Sequence, residues 1–322
     1  MSAIEISRAC PVCGGQPASP WRTKGSLRLV RCHVCGMIYA SPVAAEFSSG
    51  AFYDQEAAAY YLSPAKLESD YAVVRFAREL RLFRRYCQEG AVLDVGCSSG
   101  GFLFQLITRF PGNYQPLGTD ASSPALEYAA SRGVPVLRGD FLAQDLGRDR
   151  FEAVTFWAVL EHLAAPGAFL EKASAVLKPG GWCFVLVPNL RSLAARFLGV
   201  RYRYIYSQHL NYFARSTLTR LVEPHFTVVQ RTTMHFNPIV IWQDWRRHGA
   251  EVSNTERAQL LQRTTAYKQH AWLAPARLAY RLTEGLLAGL GLADNLAFVL
   301  RKPATEVTSG SSATFLGRRG EL

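Results

Sequence analysis

The stretch VLDVGCSSGGF, Val92 to Phe102, decides the fold. A short apolar run reaches an acid, Asp94, and then passes through glycines at 96, 100 and 101 into an apolar, helix-compatible segment. Glycines in that position let the chain turn sharply and let a ligand approach the backbone of a strand-to-helix loop. A loop of this kind serves NAD, a flavin or S-adenosylmethionine, and it also occurs as a plain tight turn. Two details tilt the choice. The spacing G-x-x-x-G departs from G-x-G-x-x-G, and a carboxylate at Asp94 would repel a pyrophosphate. The same carboxylate suits the ammonium of a methionine moiety, held directly or through water.

Outward from this loop, short apolar runs alternate with helical stretches. Strands are expected near 91–95, 115–119, 134–138, 151–157 and 182–187, and helices near 101–110, 122–132 and 166–177. That order is doubly wound α/β with a parallel sheet covered on both faces. The second strand ends at Asp120, 24 residues beyond Gly96, where a carboxylate can accept from both hydroxyls of a ribose or cap the helix starting near Ser122. Asp140, in LRGDFL after the third strand, is placed to meet the exocyclic amine of adenine, with Phe141 beside the ring.

In order, VLDVGCSSGGF, GTDAS, RGDF, FEAVTFWAVLEHL (Phe151 to Leu163) and VLKPGGWCFVLVPN (Val176 to Asn189) closely resemble the class I methyltransferases, particularly the small-molecule branch with an E-H-L signature. The resemblance covers about 91–230. It implies a Rossmann-like seven-stranded methyltransferase fold with S-adenosylmethionine as cofactor. By it, Asp94 and the loop with Gly96, Cys97 and Gly100 cradle the methionine part, Asp120 the ribose, and Asp140 with Phe141 the adenine. Trp157 and Glu161 line the pocket near the sulfonium, and LKPGG is a structural turn.

Methyl transfer is an in-line displacement, so the protein chiefly aligns the nucleophile and, where needed, removes its proton. His162 follows Glu161 at the carboxyl edge of the sheet and is one candidate base. His209, in YSQHLNYF (Tyr206 to Phe213), is the preferred one, with Tyr206 beside it. A packed or helix-capping histidine is the alternative for each. This segment resembles the Y-x-E-H-x-x-Y-F stretch of zinc-ribbon sugar methyltransferases of deoxysugar biosynthesis, with Gln208 in place of the glutamate. Without that second carboxylate a hydroxyl acceptor is favoured, since one neutral histidine can serve it. Just before it, Arg191, Arg196, Arg201 and Arg203 alternate with tyrosines, as in a phosphate clamp or a solvated helix face.

Of seven cysteines, four form the pairs Cys10–Cys13 and Cys32–Cys35, separated by 18 residues. Two C-x-x-C knuckles at this spacing fit one structural zinc ion with no open coordination position. Gly14 and Gly36 follow the knuckles, and SLRLVRC between them alternates like a strand. Residues 1–45 are therefore expected to form a zinc ribbon, 46–90 a helical bridge with Val74, Ala77, Leu80 and Phe83 at helical spacing, and 91–302 the methyltransferase domain. Tyr53, Tyr60 and Tyr61 of the bridge are candidates to close over the cofactor. The sixth strand is FTVVQRTT and the seventh NLAFVLRK, so an insertion of about 234–294 separates them, and it is read as a substrate lid in preference to a dimer contact or an interfacial membrane helix. Residues 303–322 are expected to be a flexible tail.

Of the net charge of +11, residues 191–322 carry +10, with 18 Lys and Arg against 8 Asp and Glu. This suits an anionic partner: a phosphate-bearing small molecule, RNA or a membrane surface, with no feature pointing to DNA. A hydroxyl on a sugar, a nucleotide-linked sugar or a glycan precursor is the expected acceptor, and ribosomal RNA is the alternative. No apolar run reaches the ~18 residues of a membrane span and no secretory signal is seen, so a cytoplasmic location is expected.

Overall fold

The computed structural model describes residues 5–46, 51–55, 58–250, 252–269 and 274–304. Strand β1 (Glu5–Ile6) leads into the first cysteine pair, and β2 (Ala18–Lys24), β3 (Leu27–Cys32) and β4 (Ile38–Ala40) form an antiparallel sheet. Next, β5 (Val43–Ala44) returns to pair with β1. In β3 the expected alternation is present: Leu27 and Leu29 are buried while Arg28 and Arg31 face solvent. Gly14 and Gly36 take φ of +66° and +73°, the left-handed conformation that folds each knuckle back on itself.

Four helices follow: α1 (Ala51–Gln55), α2 (Ala58–Tyr61), α3 (Pro64–Tyr71) and α4 (Ala77–Tyr86). The helical spacing read from Val74 holds only from Ala77 onward. Residues 72–76 form a turn, which brings Arg75 and Phe76 to an internal cavity, while Leu80 and Phe83 enter the core as expected.

The main sheet contains β6 (Gly90–Val95), β7 (Tyr114–Asp120), β8 (Val136–Arg138), β9 (Phe151–Trp157), β10 (Leu177–Pro188), β12 (Thr227–Met234) and β13 (Asn295–Arg301). Its order is β12-β13-β10-β9-β6-β7-β8, and only β13 runs antiparallel to its neighbours. Side chains of one strand point alternately to two buried faces. Val154, Val185 and Phe298 pack with α7 (Pro166–Val176) and α9 (Arg215–Val222), whereas Ala153, Phe184 and Val299 pack with α4, α5 (Gly101–Arg109) and α6 (Ser123–Ser131). Covering both faces with helices is why these strands read as continuous apolar runs. The seven-stranded methyltransferase fold expected from the motifs is the fold observed.

The N-terminal ribbon is not a pendant module. Cys10, Cys32, Met37 and Tyr39 belong to the same buried cluster as Leu93 and Phe213. Moreover β11 (Asn211–Tyr212) adds to the ribbon sheet beside β4.

Between β12 and β13 lie α10 (Pro238–Arg246), α11 (Asn254–Gln269) and α12 (Ala274–Gly289). Helix α11 packs along α3 and α2 and contributes Arg257, Leu260, Leu261 and Thr264 to the cavity wall. Helix α12 lies on β12, held by the Arg78–Glu284 ion pair, and turns Leu278, Leu282, Leu286 and Leu290 outward. The covering element is thus α11, with Tyr280 of α12 beside it. No helix among the described residues is long and apolar enough to cross a membrane. Of the expected tail, residues 305–322 lie outside the described residues.

Candidate active site

A cavity of about 1140 Å³ opens at the carboxyl ends of β6, β7, β9 and β10 and is roofed by α2, α3 and α11. At its floor the glycine loop makes the turn read from the sequence. The Gly96 and Gly100 φ values are +76° and +81°, and the Gly96 N–H donates to the Thr119 carbonyl at 2.7 Å. A Cβ on Gly96 would sit 2.5 Å from Val159 Cγ2. Gly96→Ala is therefore expected to cost ~1–3 kcal/mol and to distort the loop, read as a lower thermal midpoint together with weaker cofactor binding in one calorimetric series. An unchanged midpoint would show that the loop absorbs the methyl.

Three carboxyls line this part of the cavity, Asp94 and Glu161 buried and Asp120 half-buried. Asp94 accepts from Thr155 Oγ1 at 2.6 Å, and burial pushes its carboxyl up to about 7. Asp120 accepts from the Ser98 N–H at 2.8 Å and the Ser122 N–H at 2.9 Å, and burial raises it too. One Asp120 oxygen is turned to the Ser122 N–H and the other to the glycine loop, and the N-cap of the helix that follows is Ser122, so Asp120 does not cap it. Glu161 is 1% exposed, its Oε2 has no partner, and burial pushes it up to about 8. Burial opposes ionisation of all three, and a cationic ligand would favour it.

The remaining sequence candidates also line the cavity. Trp157 packs between Phe102 and Phe184 with its buried Nε1 unpartnered, and Ser98 Oγ is likewise a buried orphan. Phe141 stacks near Phe169, and exposed Asp140 accepts from the Leu142 N–H at 3.0 Å. Cys97 lines the cavity, but its sulfur packs so closely on Gly118 that a Cβ there would lie 2.6 Å from it. Burial raises this thiol well above its usual range, so it is an inert wall and not a nucleophile.

The histidines come together from two loops. Ligating atoms of Glu161, His162 and His209 lie within 4.8 Å of one another, a set able to relay protons or to hold a divalent cation. His209 is 4% exposed, and its Nδ1 donates to the Tyr204 carbonyl at 2.8 Å. A carbonyl only accepts, so the proton sits on Nδ1 and Nε2 carries the lone pair. Burial, and after it the nearby His162 and Arg257, hold His209 well below the usual imidazole range. Nδ1 of His162 is shared between the Tyr53 hydroxyl at 2.7 Å and the Gln208 carbonyl at 3.0 Å, and burial lowers this ring to about 4. The Tyr206 ring lies 4.4 Å from that of His209.

Two readings change. The arginine-rich stretch before Tyr206 is not a clamp: Arg191, Arg196 and Arg201 are exposed, and buried Arg203 is bound to Asp244. Arg257, from the insertion, lies instead 3.8 Å from the Tyr206 ring centre. Spacing gave no warning of this, because the two residues are joined only by the folding of α11 over the site.

The loop carrying His209 is knitted to the ribbon. Asn211 pairs with Tyr39 across β11 and β4, and the Ala40 N–H donates to the Leu210 carbonyl at 2.9 Å. Arg8 donates to the carbonyls of Ala164 at 2.9 Å and Leu210 at 3.2 Å and to Asn211 Oδ1 at 3.0 Å. Asn211 Nδ2 in turn reaches the Leu160 and Leu163 carbonyls at 2.8 and 2.7 Å. In the ribbon, the sulfurs of Cys10 and Cys35 are 3.4 Å apart and those of Cys13 and Cys32 3.6 Å. Tetrahedral zinc with ~2.3 Å bonds would set them about 3.8 Å apart, so the four thiols fit that ion with little movement.

Residues 71–229 match a methyltransferase-domain family model. The chain is 29% identical over 191 residues to a ubiquinone biosynthesis O-methyltransferase of Mesorhizobium japonicum, covering 53% of this chain and 72% of that one. It is 33% identical over 145 residues to the protein of the same name from Caulobacter vibrioides, covering 39% and 56%. Among solved structures, the [4+2]-cyclase SpnF is similar with a TM-score of 0.53 at 16% identity, covering 82% of this chain and 98% of that one, a likeness of fold alone. Glycine loop, acidic strand ends, seven-stranded sheet and domain match converge on one assignment: the chain carries a methyltransferase domain and is an S-adenosylmethionine-dependent methyltransferase.

Proposed function

We propose that this enzyme methylates a hydroxyl of a small molecule, a sugar, nucleotide-linked sugar or glycan precursor, with His209 as general base. The observation that carries the proposal is the state of His209: a buried, neutral imidazole with Nδ1–H anchored on a backbone carbonyl, which leaves the lone pair on Nε2, in a cluster with Glu161 and His162. S-adenosylmethionine supplies a methyl group made electrophilic by positive sulfur. Asp94 and the Gly96–Gly100 loop hold its methionine end, Asp120 the ribose, Asp140 and Phe141 the adenine, with Trp157 and Glu161 near the sulfonium. His209 Nε2 takes the acceptor proton, while His162 and Tyr206 hold the acceptor in line and α11 excludes water. The names of the curated relatives support O-methylation. Four thiolates holding structural zinc complete the ribbon, whose engagement with the His209 loop supports a brace in preference to an RNA platform.

Calorimetry with S-adenosylmethionine tests the cofactor half, and transfer of labelled methyl to a panel of free and nucleotide-linked sugars tests the acceptor half. Absence of cofactor binding would sink the whole reading, whereas labelling confined to RNA would replace the acceptor. Within that experiment, Asp120→Ala is expected to weaken cofactor binding by ~30-fold or more. Two charge-assisted bonds to ribose hydroxyls, at about 1.5–3 kcal/mol each, are lost together with the anchor for Ser98. A change below ~3-fold would remove Asp120 from the ribose site.

A further inference from the structure

Four cationic side chains line the cavity: Lys66, Arg75, Arg203 and Arg257. Three have carboxylate partners. Lys66 pairs with Asp70, Arg75 approaches the same carboxylate at 3.5 Å, and Arg203 is bound to Asp244. Arg257 has none within ion-pair distance among the described residues. One of its Nη atoms reaches the Arg203 carbonyl at 3.4 Å, and its Nε is a buried donor without an acceptor. A guanidinium kept partly out of water with an empty donor is costly unless an anion completes it. The side chain is held ready by stacking on Tyr206, so its orientation does not depend on the missing partner.

The position of this cation within the site is specific. Tyr206 bridges Arg257 to His209, and the Glu161 carboxyl lies within 4.8 Å of the His209 ring nitrogen in the same cavity. The tyrosines of α2 line the same cavity, with Lys66 5.8 Å from the ring centres of both Tyr60 and Tyr61. Carboxylates are present nearby, Asp70 between Lys66 and Arg75, and Glu79 bound to His235 at 2.8 Å, but both are engaged. The cavity therefore holds carboxyls suited to a cationic cofactor and, beside the base, a guanidinium that has no carboxylate partner among the described residues.

We propose that Arg257 is the anchor of an acceptor subsite that takes an oxyanion group, phosphate or carboxylate, borne by the molecule to be methylated. The inference rests on the methyltransferase reading above and deepens it by naming what the acceptor must carry. The bidentate fork of arginine matches both oxyanions, and a group fixed there sets the register of the acceptor hydroxyl against His209 Nε2. Because α11 supplies the residue, the same contact would close the insertion over the site.

The test uses the full chain saturated with S-adenosylhomocysteine and titrated calorimetrically with inorganic pyrophosphate and, separately, malonate at constant ionic strength. At least one probe is expected to bind, with its dissociation constant raised ~10-fold or more in Arg257→Gln and partly restored in Arg257→Lys. Arg196→Gln, which removes an exposed arginine outside the cavity, is expected to bind as the parent does. Pyrophosphate alone binding points to a phosphate-bearing acceptor, malonate alone to a carboxylate. Equal affinity in the parent and Arg257→Gln proteins, or no binding of either probe to the parent, overturns the subsite. The S-adenosylhomocysteine affinity of each variant is measured in the same series: its loss in the parent protein would strike the methyltransferase reading instead, and its loss only in Arg257→Gln would mark the variant as misfolded and pass the decision to Arg257→Lys.

Discussion

Replacing His209 by alanine is expected to lower turnover by ~100-fold or more while leaving cofactor affinity unchanged. General-base catalysis contributes about two to four powers of ten, and His209, which lines the cavity with Nδ1–H committed to a backbone carbonyl, carries its lone pair on Nε2. Its Nδ1–H is committed to the Tyr204 carbonyl, so the tautomer is set by the backbone and not by the ligand. Burial keeps the ring neutral, which is the form a base needs. The sign of the pH dependence follows: the folded-state pKa is depressed, so His209 does not lose basic function by protonation across the neutral range, and an acidic limb near the ordinary imidazole value of about 6.5 is not expected. His162 is the contrast. Its Nδ1 is shared by two neighbours, and His162→Ala should disturb acceptor binding more than proton removal. Unchanged turnover in His209→Ala, or an equal loss of cofactor affinity, would reject the assignment.

Removal of the ribbon metal is expected to abolish methyl transfer almost completely, although no cysteine of the ribbon lines the cavity. Chelation in the presence of a thiol-modifying reagent, with released zinc counted against protein, should give one ion per chain and a fall in thermal midpoint. A small three-stranded sheet has too little core to persist without its ion, and its metal-binding energy is folding energy. Loss of β4 removes the strand partner of β11 and the Arg8 bonds to Leu210, Ala164 and Asn211, the supports of the segment that presents His209. Arg8→Met separates bracing from unfolding. It should retain zinc and cofactor affinity yet lower turnover by ~10–100-fold, the range typical when an outer support of a site is removed. A variant with full turnover would show that strand pairing alone carries the loop.

The core strands were legible because a sheet covered on both faces must be apolar throughout, and Val92–Val95, Phe151–Trp157 and Trp182–Val187 announce that with no help from the rest of the chain. The glycine loop was equally legible, since φ values of +76° and +81° at Gly96 and Gly100 are ones that side chains rarely adopt. Val74 illustrates the limit. Its spacing fits a helix, but residues 72–76 turn and leave Arg75 3.5 Å from Asp70 at the cavity, a placement that local periodicity does not carry. The arginine stretch at 191–203 shows the same limit in charge: residue type and density look like a clamp, yet which arginine faces the cavity depends on packing, and buried Arg203 is consumed by Asp244 from α10.

By itself the sequence determined the local chemistry of this protein: the doubly wound sheet, the glycine turn after its first strand, the four cysteines at metal spacing and the histidine-bearing segments. Each is set by contacts within a few residues, where covalent geometry and side-chain type leave few choices. Tertiary structure alone decided which distant pieces share a space: Tyr53 against His162, Arg257 on Tyr206, and Arg8 of the ribbon against the loop of His209. Those partners lie 109, 51 and about 200 residues apart in the chain. Their meeting depends on how whole helices and sheets bury their apolar faces, an energy summed over the core and written in no single motif.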